Sequence, residues 1–353
     1  SSWVIILSIS TFTLSMCGTF LVRSGILNSV HTFANDPERG LFILIFLFIL
    51  IFLSLFVFFF FHKNEQKVSH RFFWLSKETS ILINNWFMMY FLSVVLIGTV
   101  YPIFLDVITS KKISVGPPFY NKLLVPFLIP FLLMMAVGPR LKWIKSQLEG
   151  KIYLITLLII SILLAYLILK NFNQNILINT VLVSSAFYLF FISSRDFFSD
   201  KLKNISQNIA HFGFSLFILS ILFNNIFSSE IITNLKVGET FENSETKIVF
   251  ESLNQKQEAN YKSIIANFNI QNSNGDIDKF SPELRIYNQP IIVTSEADIQ
   301  TSLMKDKFIV INLVQNQKFF NVRYQEKPFM LWIWLSVMLI AIGGLSSLLK
   351  RRL

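Results

Sequence analysis

The chain has 353 residues, of which 53% are hydrophobic and 15% are charged, and its net charge is +10. Soluble domains have about 45–50% apolar and about 25% charged residues, so the composition excludes an ordinary soluble globular protein. The positive charge does not indicate nucleic-acid binding. Residues 228–327 hold 11 Lys and Arg against 13 Asp and Glu, and the remaining 20 basic residues lie in short segments between hydrophobic runs.

Hydrophobic windows predict about eight transmembrane helices. A membrane-spanning helix needs about 20 apolar residues, and residues 41–61 form such a run without any charge. The fold class is therefore a membrane all-α polytopic bundle that carries a small β-rich domain. The predicted helices lie near 3–22, 41–61, 81–104, 122–138, 153–169, 176–192, 207–227 and 329–349.

The basic residues indicate how the helices cross the membrane. The segments 62–80, 139–152 and 193–206, together with the tail 350–353, hold 14 Lys and Arg, whereas the alternate short loops hold 6. Cytoplasmic loops collect Lys and Arg, so eight crossings place the first set in the cytoplasm. The loop at 23–40 and the β-rich domain then face outward.

The sequence changes character between the seventh and eighth predicted helices. Residues 247–251, 263–270 and 308–314 alternate as strands do, and Asn274-Gly275-Asp276 is typical of a turn. We therefore expect residues 1–227 to form a seven-helix transmembrane region with an outer loop at 23–40. Residues 228–327 would form the β-rich domain, and residues 328–353 the last helix with its basic tail.

The usual catalytic signatures are missing from the sequence, which has no Walker loop, no HExxH and no GxSxG. The single cysteine, Cys17, excludes an intramolecular disulfide. The chain starts at Ser1 inside a hydrophobic run, without an initiating Met or a cleavable signal. We therefore expect a truncated piece or one half of a split protein.

His211 is the most informative residue, because a polar ring in an apolar helix is costly and is a functional hypothesis by default. It would ligate haem iron, form a hydrogen bond to a neighbouring helix, or lie in the membrane interface. The small residues Ala210, Gly213 and Ser215 would make room for a flat macrocycle. A second ring at similar depth could come from His62, although a solvated loop histidine is the simpler interpretation there.

His31 and Arg23 belong to the predicted outer loop. Taken alone, His31 is an unremarkable loop histidine, and Arg23 is most simply an interfacial charge whose stem lies in the membrane. Arg23 is also a candidate partner for an anionic group such as a propionate.

Several motifs together resemble one family, the cytochrome c biogenesis proteins of the CcmF/NrfE type, which are haem lyase subunits. The longest is GTFLVRSGILNSVH at residues 18–31, followed by DPERG at 36–40. The resemblance extends in order over essentially the whole chain. It includes the motifs at 115–121, 138–139, 210–213, 260–261, 281–287, 295–299, 332–334 and 343–344.

The resemblance implies that the protein holds haem for covalent thioether attachment to the Cys-x-x-Cys-His motif of an apocytochrome c outside the membrane. His31 matches the outer histidine that ligates the transient substrate haem, and His211 matches one axial ligand of a permanent transmembrane haem b. The family's tryptophan-rich segment and its remaining histidines lie upstream and are absent here. An upstream half of the lyase is therefore an expected partner.

The other implied partners are the haem chaperone, apocytochrome c with its thiol-handling proteins, and membrane lipid. The implied location is the bacterial inner membrane, with the β domain in the periplasm, or alternatively the mitochondrial inner membrane. Two other functions stay open: the sister lyase dedicated to cytochrome c nitrite reductase, and a transporter of haem or another small molecule. A transporter would be expected to contain inverted repeats and broken helices, and no clear repeat is visible.

Overall fold

A computed structural model describes residues 2–23, 37–61, 73–109, 113–144, 150–171, 176–199, 205–244, 246–272, 275–288, 291–313 and 319–350. The chain divides into two compact units. One contains residues 1–131 and 138–149, and the other contains residues 132–137 and 150–353.

Eight helices in the described ranges are long and apolar enough to cross a membrane, which confirms the predicted fold class. Except in the sixth helix, few of their residues are buried inside the protein, as expected for helices that face lipid. The helices are α1 (Ser2–Arg23), α2 (Pro37–Phe61), α3 (Lys77–Thr109), α4 (Pro117–Val137), α5 (Lys151–Leu169), α6 (Ile176–Ser199), α7 (Ile205–Phe227) and α8 (Met330–Lys350).

Several helices extend beyond their predicted bounds, because hydropathy detects only the apolar part of a helix. α3 begins at Lys77, where the buried Ser76 acts as its N-cap and its Oγ accepts a hydrogen bond from the Thr79 amide at 3.4 Å. α4 begins at Pro117 instead of residue 122, since proline suits the first turn of a helix, where its missing N–H is not needed. α6 continues through a polar end to Ser199.

The first unit contains α1 packed against α2, together with α3 and most of α4. The Tyr90 hydroxyl of α3 donates a hydrogen bond to the Leu123 carbonyl of α4 at 2.9 Å. The Phe131 ring meets the rings of Phe87 and Phe91 edge-on, with centroids 5.7 Å and 5.5 Å away. Aromatic packing and one interhelical hydrogen bond therefore hold α3 and α4 together.

In the second unit, α5, α6, α7 and α8 pack in sequence order. α6 is the most enclosed of them, and every residue from 182 to 189 is buried. Small polar residues such as Ser184 and Ser185 point their hydroxyls back to carbonyls of the same helix at 2.8 Å and 2.7 Å. This bonding satisfies the hydroxyls without a partner from another helix.

A β-sandwich, here called the β domain, follows α7 and precedes α8. One sheet has the order β1-β10-β9-β8 and the other the order β2-β3-β4-β6-β7, with β5 paired to β4, and every pairing is antiparallel. The strands are β1 (Ser229–Leu235), β2 (Thr240–Glu242), β3 (Thr246–Gln257), β4 (Tyr261–Asn272), β5 (Ile277–Phe280), β6 (Glu283–Asn288), β7 (Ile291–Glu296), β8 (Asp298–Thr301), β9 (Lys305–Leu313) and β10 (Phe320–Pro328).

The β domain has its own apolar core between the two sheets. Alternate residues of β3, β4, β9 and β10 point inward, as the two-residue period of a strand requires. The Phe250 and Phe268 rings stack with centroids 4.4 Å apart. The central core residues are Ile248, Phe250, Phe268, Ile270, Ile309, Ile311, Val322 and Tyr324.

The three predicted strand segments fall within β3, β4 and β9, and β9 ends at Leu313 within the described residues. Gly275 lies between β4 and β5 with a φ of 85°, which confirms the predicted turn, because a left-handed conformation favours glycine. Asn274 lies outside the described residues.

Candidate functional site

Most predicted site residues lie outside the part of the chain that the structure describes. His31, His62 and His70 fall in undescribed ranges, and Arg23 is the last residue of α1 with a side chain that is not described. The roles expected for His31 and Arg23 therefore stay predictions, and so does the role of His62. His211 is the predicted ligand whose surroundings can be analysed.

His211 is the seventh residue of α7, near the end of the helix that is remote from the β domain, and its side chain is half-buried. No hydrogen bond joins its ring to another described residue. The alternative of a histidine bonded to a neighbouring helix is therefore not realised within the described ranges. A neutral imidazole in this state has a nitrogen lone pair available for a metal.

α8 contacts α7 backbone to backbone beside His211. A Cβ added to Gly213 would lie 2.9 Å from the Ile340 amide nitrogen, and one added to Gly343 would lie 2.7 Å from the Ala210 amide nitrogen. Close approach through small residues is a common way for membrane helices to associate.

This packing corrects one expectation from the sequence. Ala210 and Gly213 do not make room for a macrocycle, because the backbone of α8 fills the space beside them. Ser215 does not leave space either, since it is fully buried and its hydroxyl donates to the Phe212 carbonyl at 2.8 Å. Small side chains in a membrane helix either leave space for a ligand or let another helix pack closely. Here they let α7 and α8 pack closely.

α6 contacts α7 on a different face. The Asn208 Nδ2 donates a hydrogen bond to the Asp196 carbonyl at 2.9 Å, and Asn208 is buried. The Phe212 ring stacks on Phe197 with centroids 5.0 Å apart and meets Phe190 at 5.8 Å. These contacts fix the first turns of α7 against the last turns of α6.

His211 therefore lies on a third face of α7. Each helical residue turns the direction by about 100°, so His211 is about 100° from Ala210, which contacts α8, and about 100° from Phe212, which contacts α6. Two neighbouring helices thus fix the backbone of α7 at His211, and no hydrogen bond from a described residue occupies the ring nitrogens. This arrangement suits a ligand that must be held at a defined place in the membrane.

A cationic group lies at the same end of the helices. The Arg195 guanidinium of α6 lies over the Tyr153 ring of α5, 4.2 Å from its centroid. Such cation–π contacts hold an arginine in place at a membrane surface.

Sequence reasoning missed Arg195, Asn208 and Gly343 as residues that position this end of the bundle. Two features of the sequence could have indicated these residues. One is a polar residue one turn before His211, and the other is the glycine pair 343–344 in an apolar helix.

The described residues contain no group of three or more His, Cys, Asp or Glu side chains that could hold a metal ion. The half-buried His211 ring fits one axial position of a haem iron, because haem requires one or two protein ligands rather than a cluster. A second histidine ligand must come from outside the described part of the chain.

Together, fold and site define a class: a multi-pass membrane protein with a β-sandwich between its last two helices and a pre-positioned histidine on the seventh. Residues 226–328 match the family model described as the CcmF C-terminal beta-sandwich. This match confirms the resemblance to the CcmF-type cytochrome c biogenesis proteins noted in the sequence.

Individual relatives support this assignment. The chain is 31% identical over 369 residues to the cytochrome c-type biogenesis protein CcmF of Pseudomonas aeruginosa, covering 99% of this chain and 55% of that protein. It is 26% identical over 361 residues to the cytochrome c-type biogenesis protein NrfE of Haemophilus influenzae, covering 100% of this chain and 56% of that protein.

A solved structure titled Cytochrome c Heme Lyase CcmF has the same fold. It superposes with a TM-score of 0.69 at 20% identity, covering 98% of this chain and 54% of that one. The chain thus spans about half the length of the relatives that it matches.

Proposed function

We propose that the chain is part of a cytochrome c haem lyase. This enzyme joins the two vinyl groups of haem to the thiols of a Cys-x-x-Cys-His motif in apocytochrome c. The observation that carries the proposal is His211, whose stretch of α7 is held by α6 and α8 while no described side chain forms a hydrogen bond to its ring. The similarity to CcmF proteins supports the assignment to haem.

In this proposal, His211 would hold the iron of a haem b within the membrane. The bound haem supplies a reversible one-electron couple. The chain supplies a neutral imidazole at fixed depth, because Asn208 and Phe212 hold α7 on α6 while Gly213 lies against α8. The neutral form of imidazole is the one that coordinates iron.

The substrate haem binds on the opposite side of the membrane. His31 holds its iron, and Arg23 pairs with a propionate, since a guanidinium matches a carboxylate geometrically. Each cysteine thiol then adds across one vinyl group, so that sulfur bonds to one carbon and the thiol hydrogen goes to the other. The addition needs no net oxidant, and the residues of the chain contribute orientation.

The distribution of basic residues supports this sidedness. The β domain and residues 23–40 face outward, which is the periplasm if the membrane is the bacterial inner membrane; the mitochondrial inner membrane is the alternative location. The proposed partners are the remaining part of the lyase with its tryptophan-rich segment, the haem chaperone, apocytochrome c with its thiol-handling proteins, and membrane lipid.

The similarity to NrfE supports a second candidate, the lyase dedicated to cytochrome c nitrite reductase. Identity is 26% to that relative and 31% to the CcmF relative, so we favour the general lyase. A transporter would be expected to have discontinuous helices that meet at the midplane, whereas His211 lies near the end of a continuous helix.

The proposal is tested by co-expressing the chain with the part of a CcmF relative that lies outside the matched region, and by recording reduced-minus-oxidised spectra of the membranes. His211→Ala should abolish the b-type signal, because the iron loses an axial ligand. The matched control is His70→Ala, which removes a histidine from a charged loop and should retain the signal. A b-type signal of normal size in the His211→Ala protein would disprove the haem-ligand role.

A further inference from the structure

The turn between β8 and β9 lies directly beside the first turn of α8. The Trp332 indole Nε1 donates a hydrogen bond to the Leu303 carbonyl at 2.9 Å, and the Phe329 amide donates to the Met304 carbonyl at 2.8 Å. The span of α8 begins at Met330. The turn is therefore at the same depth as the membrane entry of this helix.

Hydrogen bonds within the turn fix its shape. The Ser302 hydroxyl donates to the Lys305 carbonyl at 2.6 Å and accepts from the Lys305 amide at 3.1 Å. The Lys305 ammonium pairs with the Glu326 carboxylate of β10 at 2.6 Å. These contacts satisfy the polar groups of the turn at its base, so only the two residues at its tip project.

The tip is apolar and exposed. Leu303 has 69% of its surface accessible and Met304 has 63%. Turns normally use Gly, Asn, Asp, Ser or Pro, so two adjacent large apolar side chains need another explanation than turn geometry. Apolar side chains exposed to water carry an unfavourable free energy of hydration. The same side chains in contact with lipid do not carry this cost.

We infer that the Leu303–Met304 tip inserts into the interfacial layer of the lipid bilayer on the side of the β domain. The occupant of this surface is phospholipid, because the tip continues the lipid-exposed surface of α8 at the level where Trp332 enters the membrane. Tryptophan indoles concentrate at this level in membrane proteins. The inference does not rest on the proposed lyase function.

The insertion gives the β domain a third attachment to the membrane. α7 and α8 hold the domain at Ser229 and Pro328, where the Asn224 Nδ2 donates to the Pro328 carbonyl at 2.6 Å. The Leu303–Met304 tip adds a contact at the turn that joins β8 and β9.

Depth-dependent fluorescence quenching tests the inference. The full chain carries Cys17→Ser and Leu303→Cys, is labelled with an environment-sensitive fluorophore and is reconstituted into phosphatidylcholine vesicles containing nitroxide-labelled lipid. The matched control is Leu313→Cys, which replaces the same residue type at 54% exposure at the other end of β9. This strand is about 27 Å long at about 3.4 Å per residue, so the control lies far from the membrane.

We expect lipid quenching at position 303 to be several-fold stronger than at position 313, and quenching by aqueous iodide to show the opposite order. Equal lipid quenching at the two positions would overturn the inference. Protection of position 303 from both quenchers would also overturn it, because that result identifies a protein surface as the occupant.

Discussion

Gly343 and Gly344 are neighbours in sequence with opposite surroundings. Gly343 is buried, and a Cβ there would lie 2.7–2.9 Å from atoms of Ala210, whereas Gly344 is exposed and has nothing within 4 Å of an added Cβ. Backbone atoms of a packed helix cannot move away as a flexible side chain can. Gly343 is therefore required by the contact between α7 and α8, and Gly344 is not.

Gly343→Ala should lower the stability of the bundle by about 1–3 kcal/mol, which is the usual cost of overpacking a close contact. The measurement is the thermal unfolding temperature of the purified chain in detergent. Gly344→Ala is the matched control and should leave this temperature unchanged or slightly higher, since alanine favours a helix more than glycine does. Equal unfolding temperatures for the two variants would contradict the assignment of Gly343 to the helix contact.

At the scale of elements, β9 contains one carboxylate that the fold does not fully satisfy. The Asp306 Oδ1 is buried without a hydrogen-bond partner among the described residues. Burial raises the pKa of Asp306 above its ordinary value of 3.8, although a hydrogen bond from Thr301 partly opposes the shift. The folded state thus binds the proton of Asp306 more tightly than the unfolded state does.

The sign of the pH dependence follows from this raised pKa. The contribution of Asp306 to stability is fully present below pH 3.8 and is lost as the pH rises through the higher pKa of the folded state. Asp306→Asn should remove this component and stabilise the β domain at pH 7, but not at pH 3. Thermal unfolding at a series of pH values measures it. Asp276→Asn, in an exposed turn, is the control, and an unchanged pH profile for Asp306→Asn would refute the argument.

The elements differ in how far the sequence predicts them. The spanning helices were predictable because about 20 consecutive apolar residues have few other structures available. The strands β5 and β8 have only four residues each, and their alternation is too short to separate from a loop. The contacts of Gly213 with Ile340 and of Gly343 with Ala210 were not predictable, because the residues that meet are far apart in sequence and no local pattern records their pairing.

At the scale of the whole molecule, the proposed haem-ligand roles depend on which side of the membrane each segment lies. The haem-ligand roles require residues 23–40 and the β domain to lie across the membrane from the tail at 350–353. His31 and its surroundings could not be compared with the structure, because they fall outside the described residues. The position of the β domain relative to the membrane can instead be measured at an exposed residue of the domain.

Val237 is 50% exposed in the turn between β1 and β2. In a Cys17→Ser background, Val237→Cys should react with a membrane-impermeant maleimide added to intact spheroplasts. Leu353→Cys should react only after the membrane is permeabilised, because the basic tail is expected in the cytoplasm. The reverse order of labelling would invert the topology and exclude an exterior role for His31.

The β domain interrupts the chain between two helices that touch backbone to backbone. α7 and α8 form a paired stem that begins at Phe227 and Met330. The Asn224 side-chain amide donates a hydrogen bond to the Pro328 carbonyl and so joins the two sides of the stem at the base of the domain. His211 is about 24 Å down this stem at 1.5 Å per residue. A rocking motion of only about 5° at the top would therefore displace the imidazole by about 2 Å, as much as the length of an iron–nitrogen bond. The contacts of α7 with α6 oppose such a motion and so hold the imidazole at its depth while the sandwich moves.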